Sequence, residues 1–206
     1  MNSAIRIKSL LTVAAVASTL LLAAPLVSAV EISGIKIEET AHVANQELKL
    51  NGAGIRYKAI FKVYVGGLYL AEKKTTTADV LAAPGAKRLT LVTLREISSD
   101  DLGRAFMDGL NKNSDRSEKT KIITQMQHLG EMFASIPELK KGEVVTIDWV
   151  PGSGTLVAVN GKKIAEVFPD VVFYNALLKI WLGDKPADSQ LKRVMLGEKP
   201  EDFRRQ

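Results

Sequence analysis

The chain reads as an α+β protein in which helices cover a large, mainly antiparallel sheet. Three observations predict this. Alternating apolar runs come first, helical periodicity occupies the middle, and a second strand group followed by helices closes the chain. Asn160-Gly161 stands between two alternating runs, a strong signal for a tight hairpin. Residues 171–181 carry so few polar positions that a helix there must be buried. No repeat, low-complexity tract or linker-like shift divides residues 30–206, which therefore read as one domain.

Residues 1–29 read as a secretory signal peptide. Arg6 and Lys8 make a positive start, residues 10–22 an apolar core, and Val27-Ser28-Ala29 a small-residue cleavage pattern after Pro25. The apolar core is short for a bilayer span, which needs about 20 residues. No Cys stands at the cleavage point to carry a lipid anchor. Cleavage after Ala29 leaves 177 residues, a periplasmic or secreted location of bacterial type, and no stable membrane insertion. The chain has 28 Lys and Arg against 23 Asp and Glu; without the two basic residues of the leader its formal charge is +3. Such a balance, with no dense basic run, argues against nucleic acid as a partner. Zero Cys excludes disulfides, thiolate catalysis and cysteine metal sites, so the fold must rest on its core.

Taken in order, residues 30–43 alternate as one or two strands, with Ser33-Gly34 where the apolar phase changes. Residues 45–51 read as a connection, and Gly52 and Gly54 as a glycine-rich turn. Residues 55–70 form two adjacent strands or one bent strand. Alternation there places Tyr64 with Leu68 and Leu70, and Tyr69 with Val63 and Val65 on the opposite face. Thr75-Thr76-Thr77 can cap a short helix at 78–82, stopped by Pro84-Gly85. Residues 89–94 contain only Leu, Val and Thr, a strand buried on both faces that Arg95 ends. Ser98-Ser99-Asp100-Asp101 opens a helix with Leu102, Ala105, Phe106 and Leu110 on one side. Residues 111–119 look like a polar turn. The next helix carries Ile122, Ile123, Met126, Leu129, Met132 and Phe133 as its stripe.

The methionines read as core filler, although such residues also accommodate variable lipid chains. Residues 144–150, 155–159 and 162–167 form an antiparallel meander, with Val145, Ile147 and Trp149 alternating against Thr146 and Asp148. Pro169 starts the apolar helix, Gly183 ends it, and Asp188 caps a last short helix closed by Gly197. Residues 198–206 are a charged tail.

Catalytic templates fail. Ser153 lies in a hairpin turn and not in a nucleophile elbow, and Gly52-Ala53-Gly54 lacks the rest of a dinucleotide fingerprint. His42 and His128 show no metal-type spacing. Neither a catalytic residue, nor a metal site, nor a cofactor is assigned. What remains is Arg56, in an otherwise largely apolar strand, near tyrosines and the Gly66-Gly67 pair. A guanidinium fork fits a carboxylate and a phenol adds a neutral donor. Arg56, Tyr64 and Tyr69 are therefore the candidate ligand-binding residues; the alternative for Arg56 is a structural ion pair or a solvated face.

Gly52-Ala53-Gly54-Ile55-Arg56, with 63–70 (Val-Tyr-Val-Gly-Gly-Leu-Tyr-Leu) and 176–183 (Ala-Leu-Leu-Lys-Ile-Trp-Leu-Gly), resembles the chalcone isomerase-like family. The resemblance implies an open-faced β-sandwich, with a large antiparallel sheet covered by helices and a ligand cleft between the layers. It implies that Arg56 orients an anionic ligand and that Tyr64 falls at or beside a hydrogen-bonding position of the site. The isomerases' catalytic tyrosine would fall near residues 97–101, where this chain has none, a departure that argues against chalcone isomerase activity. The implied role is a periplasmic binder of a fatty acid or similar small amphipathic acid. The alternatives are an intramolecular lyase acting on a small enone-like compound, or a partner-binding protein with no ligand.

Overall fold

The computed structural model describes residues 28–136 and 138–199. All of the leader but Ser28 and Ala29 lies outside the described residues, as does the tail from residue 200. The chain begins with a hairpin of β1 (Ala29–Ile32) and β2 (Ile35–Glu38), turned at Ser33-Gly34. A seven-stranded antiparallel sheet follows, its strands in sequence order. Its first half is β3 (Thr40–Val43), β4 (Gln46–Lys58), β5 (Phe61–Leu70) and β6 (Lys87–Thr93). The short α1 (Thr77–Ala82) links β5 to β6, capped by Thr76, one of the three threonines expected to offer a capping oxygen. Two helices, α2 (Ser99–Asn113) and α3 (Arg116–Ser135), then cross before β7 (Val144–Val150), β8 (Gly154–Val159) and the two-residue β9 (Lys162–Lys163) complete the sheet. The chain ends in α4 (Val171–Leu182) and α5 (Ser189–Met195).

The sheet separates two apolar layers. One joins Tyr64, Leu68, Leu70, Leu89, Leu91 and Ile147 of the strands to α2, α3, α4 and α5. The other, smaller layer gathers Leu48, Leu50, Val65, Tyr69 and Val92 under Ile37 of the β1–β2 hairpin. A strand flanked on both sides by apolar layers reads as a run without polar breaks, which is why residues 89–94 lack any charge. Asn160 and Gly161 both have positive φ, 50° and 77°, the backbone a tight hairpin demands. The meander is as expected, but its third strand is shorter. Lys162 and Lys163 pair with β8 and the Ile164 amide still donates to the Val157 carbonyl at 3.0 Å, after which the chain leaves the ladder until Phe168 bridges Thr155.

Several boundaries differ from expectation, each for a local reason. Residues 46–51 belong to β4 and are no connection; the turn before them is tight, with Ala44 at φ 51°. The polar stretch 111–119 hides one helix end and one helix start, with only Ser114 and Asp115 between them. Asp115 accepts from the Glu118 amide and so begins α3 sooner. Ile123 is exposed and stands outside the α3 stripe. Asp170, not Pro169, opens α4, accepting from the Val172 amide at 2.7 Å. Trp181 is buried as its helix predicts, whereas Trp149 is half-buried against Tyr174.

The largest correction concerns the glycines of β4. Gly52 and Gly54 make no turn: they lie in mid-strand, paired with Leu68 and Gly66. A bulge at Asn51 shifts the register between Leu50 and Gly52. Before it, Leu48 and Leu50 face the smaller layer; after it, Ala53 and Ile55 do, and Gly52, Gly54 and Arg56 turn toward the helices. A Cβ on Gly52 would lie 1.9 Å from the Val194 carbonyl oxygen, so α5 can rest here only on bare backbone.

Candidate ligand-binding site

Arg56 emerges from β4 on the helix side of the sheet because the bulge has reset the alternation. Tyr64 of β5 is its direct cross-strand partner, and such partners share a face. The guanidinium carbon lies 5.5 Å from the centre of the Tyr64 ring. Beyond Arg56 the ladder shifts again, and the Tyr57 amide donates to the Asp188 carboxylate at 2.9 Å. The other oxygen of Asp188 accepts from the Gln190 and Leu191 amides and so caps α5. One carboxylate thus ties the helix start to the strand that carries the arginine.

Arg56 and Tyr64 line a 440 Å³ cavity between sheet and helices, together with the charged Lys58, Arg95, Glu96 and Asp101. This is within the range of small-molecule sites, about 300–1,000 Å³. Val63 and Tyr64 supply the sheet wall, Leu102, Ala105 and Phe106 the α2 wall, and Ile180 and Trp181 the α4 wall. Arg95, Glu96 and Ile97 close one side, and Lys58, Ala59 and Phe61 form the rim. No histidine or methionine lines it. The methionines of α3, Met126 and Met132, are buried core residues.

The polar groups are unequal. The Arg56 Nε is buried with no hydrogen-bond partner, and Arg56 forms no ion pair among the described residues. The Tyr64 hydroxyl accepts from the Trp181 indole N–H at 2.7 Å, and both residues are buried. With its oxygen used as an acceptor, the phenol offers a ligand its proton. Burial pushes the Tyr64 phenol up to about 12, against the opposing pull of the Arg56 charge and the Trp181 bond. It is therefore a neutral donor at physiological pH. Paired with a guanidinium, it suits a carboxylate head followed by an apolar body, or an oxygen on which negative charge develops.

Tyr69 is not brought to this site. It stands on the other side of the sheet, and its hydroxyl donates to the Glu38 carbonyl at 2.9 Å, holding the β1–β2 hairpin down. The apolar run of residues 171–181 places Trp181 in the core and the position of Asp188 makes it a cap, and neither reading assigns them to the site. For Trp181 a signal existed, since a buried indole N–H normally finds an acceptor. For Asp188 none did, because its second contact is 131 residues away in sequence.

A second hollow of 640 Å³ lies between α3 and residues 164–169. Its ionisable groups, His128, Glu131 and Glu166, are all exposed. No group of three or more His, Cys, Asp or Glu among the described residues is placed to hold a metal ion. No helix among the described residues is long and apolar enough to cross a membrane.

The profile of the chalcone isomerase-like family matches residues 29–197. The chain belongs to the chalcone isomerase-like family. A solved structure of similar fold is the Arabidopsis thaliana fatty-acid binding protein, 15% identical, with a TM-score of 0.63. The match covers 79% of this chain and 92% of that one. No curated protein matches the chain. At 15% identity the likeness carries the fold, a large antiparallel sheet with covering helices, and not a ligand. The stretch 97–101 gives Ile97 and Asp101 to the cavity wall and contains no tyrosine.

Proposed function

We propose that this chalcone isomerase-like chain is an exported, periplasmic binder of a fatty acid or similar amphipathic carboxylate, acting without catalysis. The head group sits on Arg56 and Tyr64, and the acyl chain runs along the apolar walls of α2 and α4. The observation that carries this reading is the Arg56 Nε, buried at the head of an apolar cavity without an acceptor. A buried donor left unmade is costly, and a carboxylate supplies its missing acceptors. The fatty-acid binding activity of the Arabidopsis thaliana neighbour supports the ligand class. The lack of a tyrosine at residues 97–101 supports binding over isomerisation.

Replacing Arg56 by Ala removes a charge-assisted contact worth about 1.5–3 kcal/mol, so fatty-acid affinity should fall roughly ten- to a hundredfold. Arg56→Lys should recover only part, since a point charge cannot reproduce the planar fork. The measurement is calorimetric binding of a long-chain fatty acid alongside thermal melting. Unchanged affinity in Arg56→Ala, or affinity lost only through unfolding, would defeat the anchor.

A further inference from the structure

The turn joining β4 to β5 is unlike an ordinary hairpin tip. Turns favour Gly, Asn, Asp and Ser. This one carries Ala59 and Ile60, with Ala59 at φ 53°. Ile60 is 83% exposed, Phe61 56% and Tyr57 38%. These make up half of the large apolar side chains exposed among the described residues, gathered within five positions. Cations surround them: from residue 56 to 62 the chain bears Arg56, Lys58 and Lys62 and no carboxylate. From the loop after β6, the Arg95 guanidinium carbon lies 5.4 Å from the centre of the Phe61 ring. The nearby acids are largely engaged. Asp101 pairs with Arg104 at 3.1 Å and Asp188 holds the Tyr57 amide and the α5 start, while Glu96 lines the side of the cavity.

We propose that this tip seats the protein on an anionic lipid surface, with Ile60, Phe61 and Tyr57 entering the interface and Lys58, Lys62 and Arg95 meeting the head groups. Aromatic and aliphatic side chains ringed by cations have the composition of an interfacial anchor. Lys58, Ala59 and Phe61 also form the rim of the cavity, so seating the tip brings the cavity mouth to the lipid. The consequence, resting on the fatty-acid reading above, is that acyl carboxylates pass between membrane and cavity without crossing bulk water. A second copy of the chain fits less well, because one turn presents far less than the roughly 800 Å² per partner of a standard interface.

Vesicle co-sedimentation tests this with the chain as purified from its host. Phosphatidylcholine vesicles with and without phosphatidylglycerol serve as probes. Wild-type protein should partition onto the anionic vesicles and be released by salt, as screening requires. Ile60→Ser should weaken partitioning about tenfold and Lys62→Gln about fivefold. Neither residue lines the cavity, so affinity for a soluble fatty acid should stay unchanged in both. Loss of vesicle binding in Ile60→Ser in a protein that binds no fatty acid would uphold the tip and overturn the cavity reading instead. Equal binding to neutral vesicles, no binding, or no effect of Ile60→Ser would overturn the proposal. So would a concentration-dependent dimer that Ile60→Ser abolishes.

Discussion

At Arg56 and Tyr64 the chemistry follows from which groups are already used. Tyr64 accepts from Trp181, so Tyr64→Phe removes both a ligand donor and the acceptor of a buried indole N–H. Leaving that N–H unmade costs about 1–3 kcal/mol of stability, and losing a neutral ligand bond should weaken fatty-acid binding roughly two- to tenfold. Tyr69→Phe loses only the tie to Glu38, so binding should be unchanged while the β1–β2 hairpin loosens. Fatty-acid titrations of the two variants check this, and a greater loss at Tyr69 would refute the assignment.

Alkaline pH offers a separate test. Burial raises the phenols of Tyr64 and Tyr69 from 10.0 to about 12, and that of Tyr174 well above 10.0. The folded state holds these protons more tightly than the unfolded chain. The stability this represents is fully present below pH 10 and is lost as pH rises toward and through 12. Denaturant midpoints should therefore fall over that interval, with phenolate absorbance rising alongside. Tyr64→Phe should titrate one phenol fewer there.

Among the elements, β4 decides the site's position. Asn51 fills the bulge with both of its side-chain donor hydrogens and its carbonyl oxygen engaged. Its side-chain amide donates to the Lys74 carbonyl at 2.8 Å and the Met195 carbonyl at 2.6 Å, and accepts from the Lys74 amide at 2.7 Å. With that extra residue pinned, Gly52 and Gly54 face α5, and Arg56 on the same side of the strand lines the cavity. Gly52→Ala would drive a Cβ into the Val194 carbonyl, a backbone atom that cannot rotate away. We expect α5 to shift at a cost of about 1–3 kcal/mol, taking Asp188 and the Tyr57 amide with it. Thermal melting and fatty-acid binding should then both suffer. A variant with wild-type melting and affinity would show that α5 does not govern the arginine.

For the molecule as a whole, export remains a reading of residues 1–29, and protein-terminal sequencing checks it. Mature chain from the host should begin at Val30 in the periplasm or medium, and an intact Met1 on membrane-held protein would refute the leader. Cleavage there removes Ala29 from β1 but keeps the three pairs from Val30 to Ile32.

Legible in the sequence are the order of the helices, the Asn160-Gly161 hairpin, the caps at Ser98 and Asp188, a cap among Thr75-Thr76-Thr77, and the opposite facing of Tyr64 and Tyr69, whereas residues 29–43 hold three strands where one or two are expected. The legible features follow from local turn chemistry or from periods of 2 and 3.6 residues, which neighbouring residues carry. Only the packed fold shows that Gly52 and Gly54 are a seat for α5 and not a turn. It also shows that Arg56 meets a cavity without a partner, that Trp181 orients Tyr64, and that Asp188 braces the strand. Each depends on contacts between residues more than a hundred positions apart, and no local pattern records what a glycine's missing Cβ makes room for.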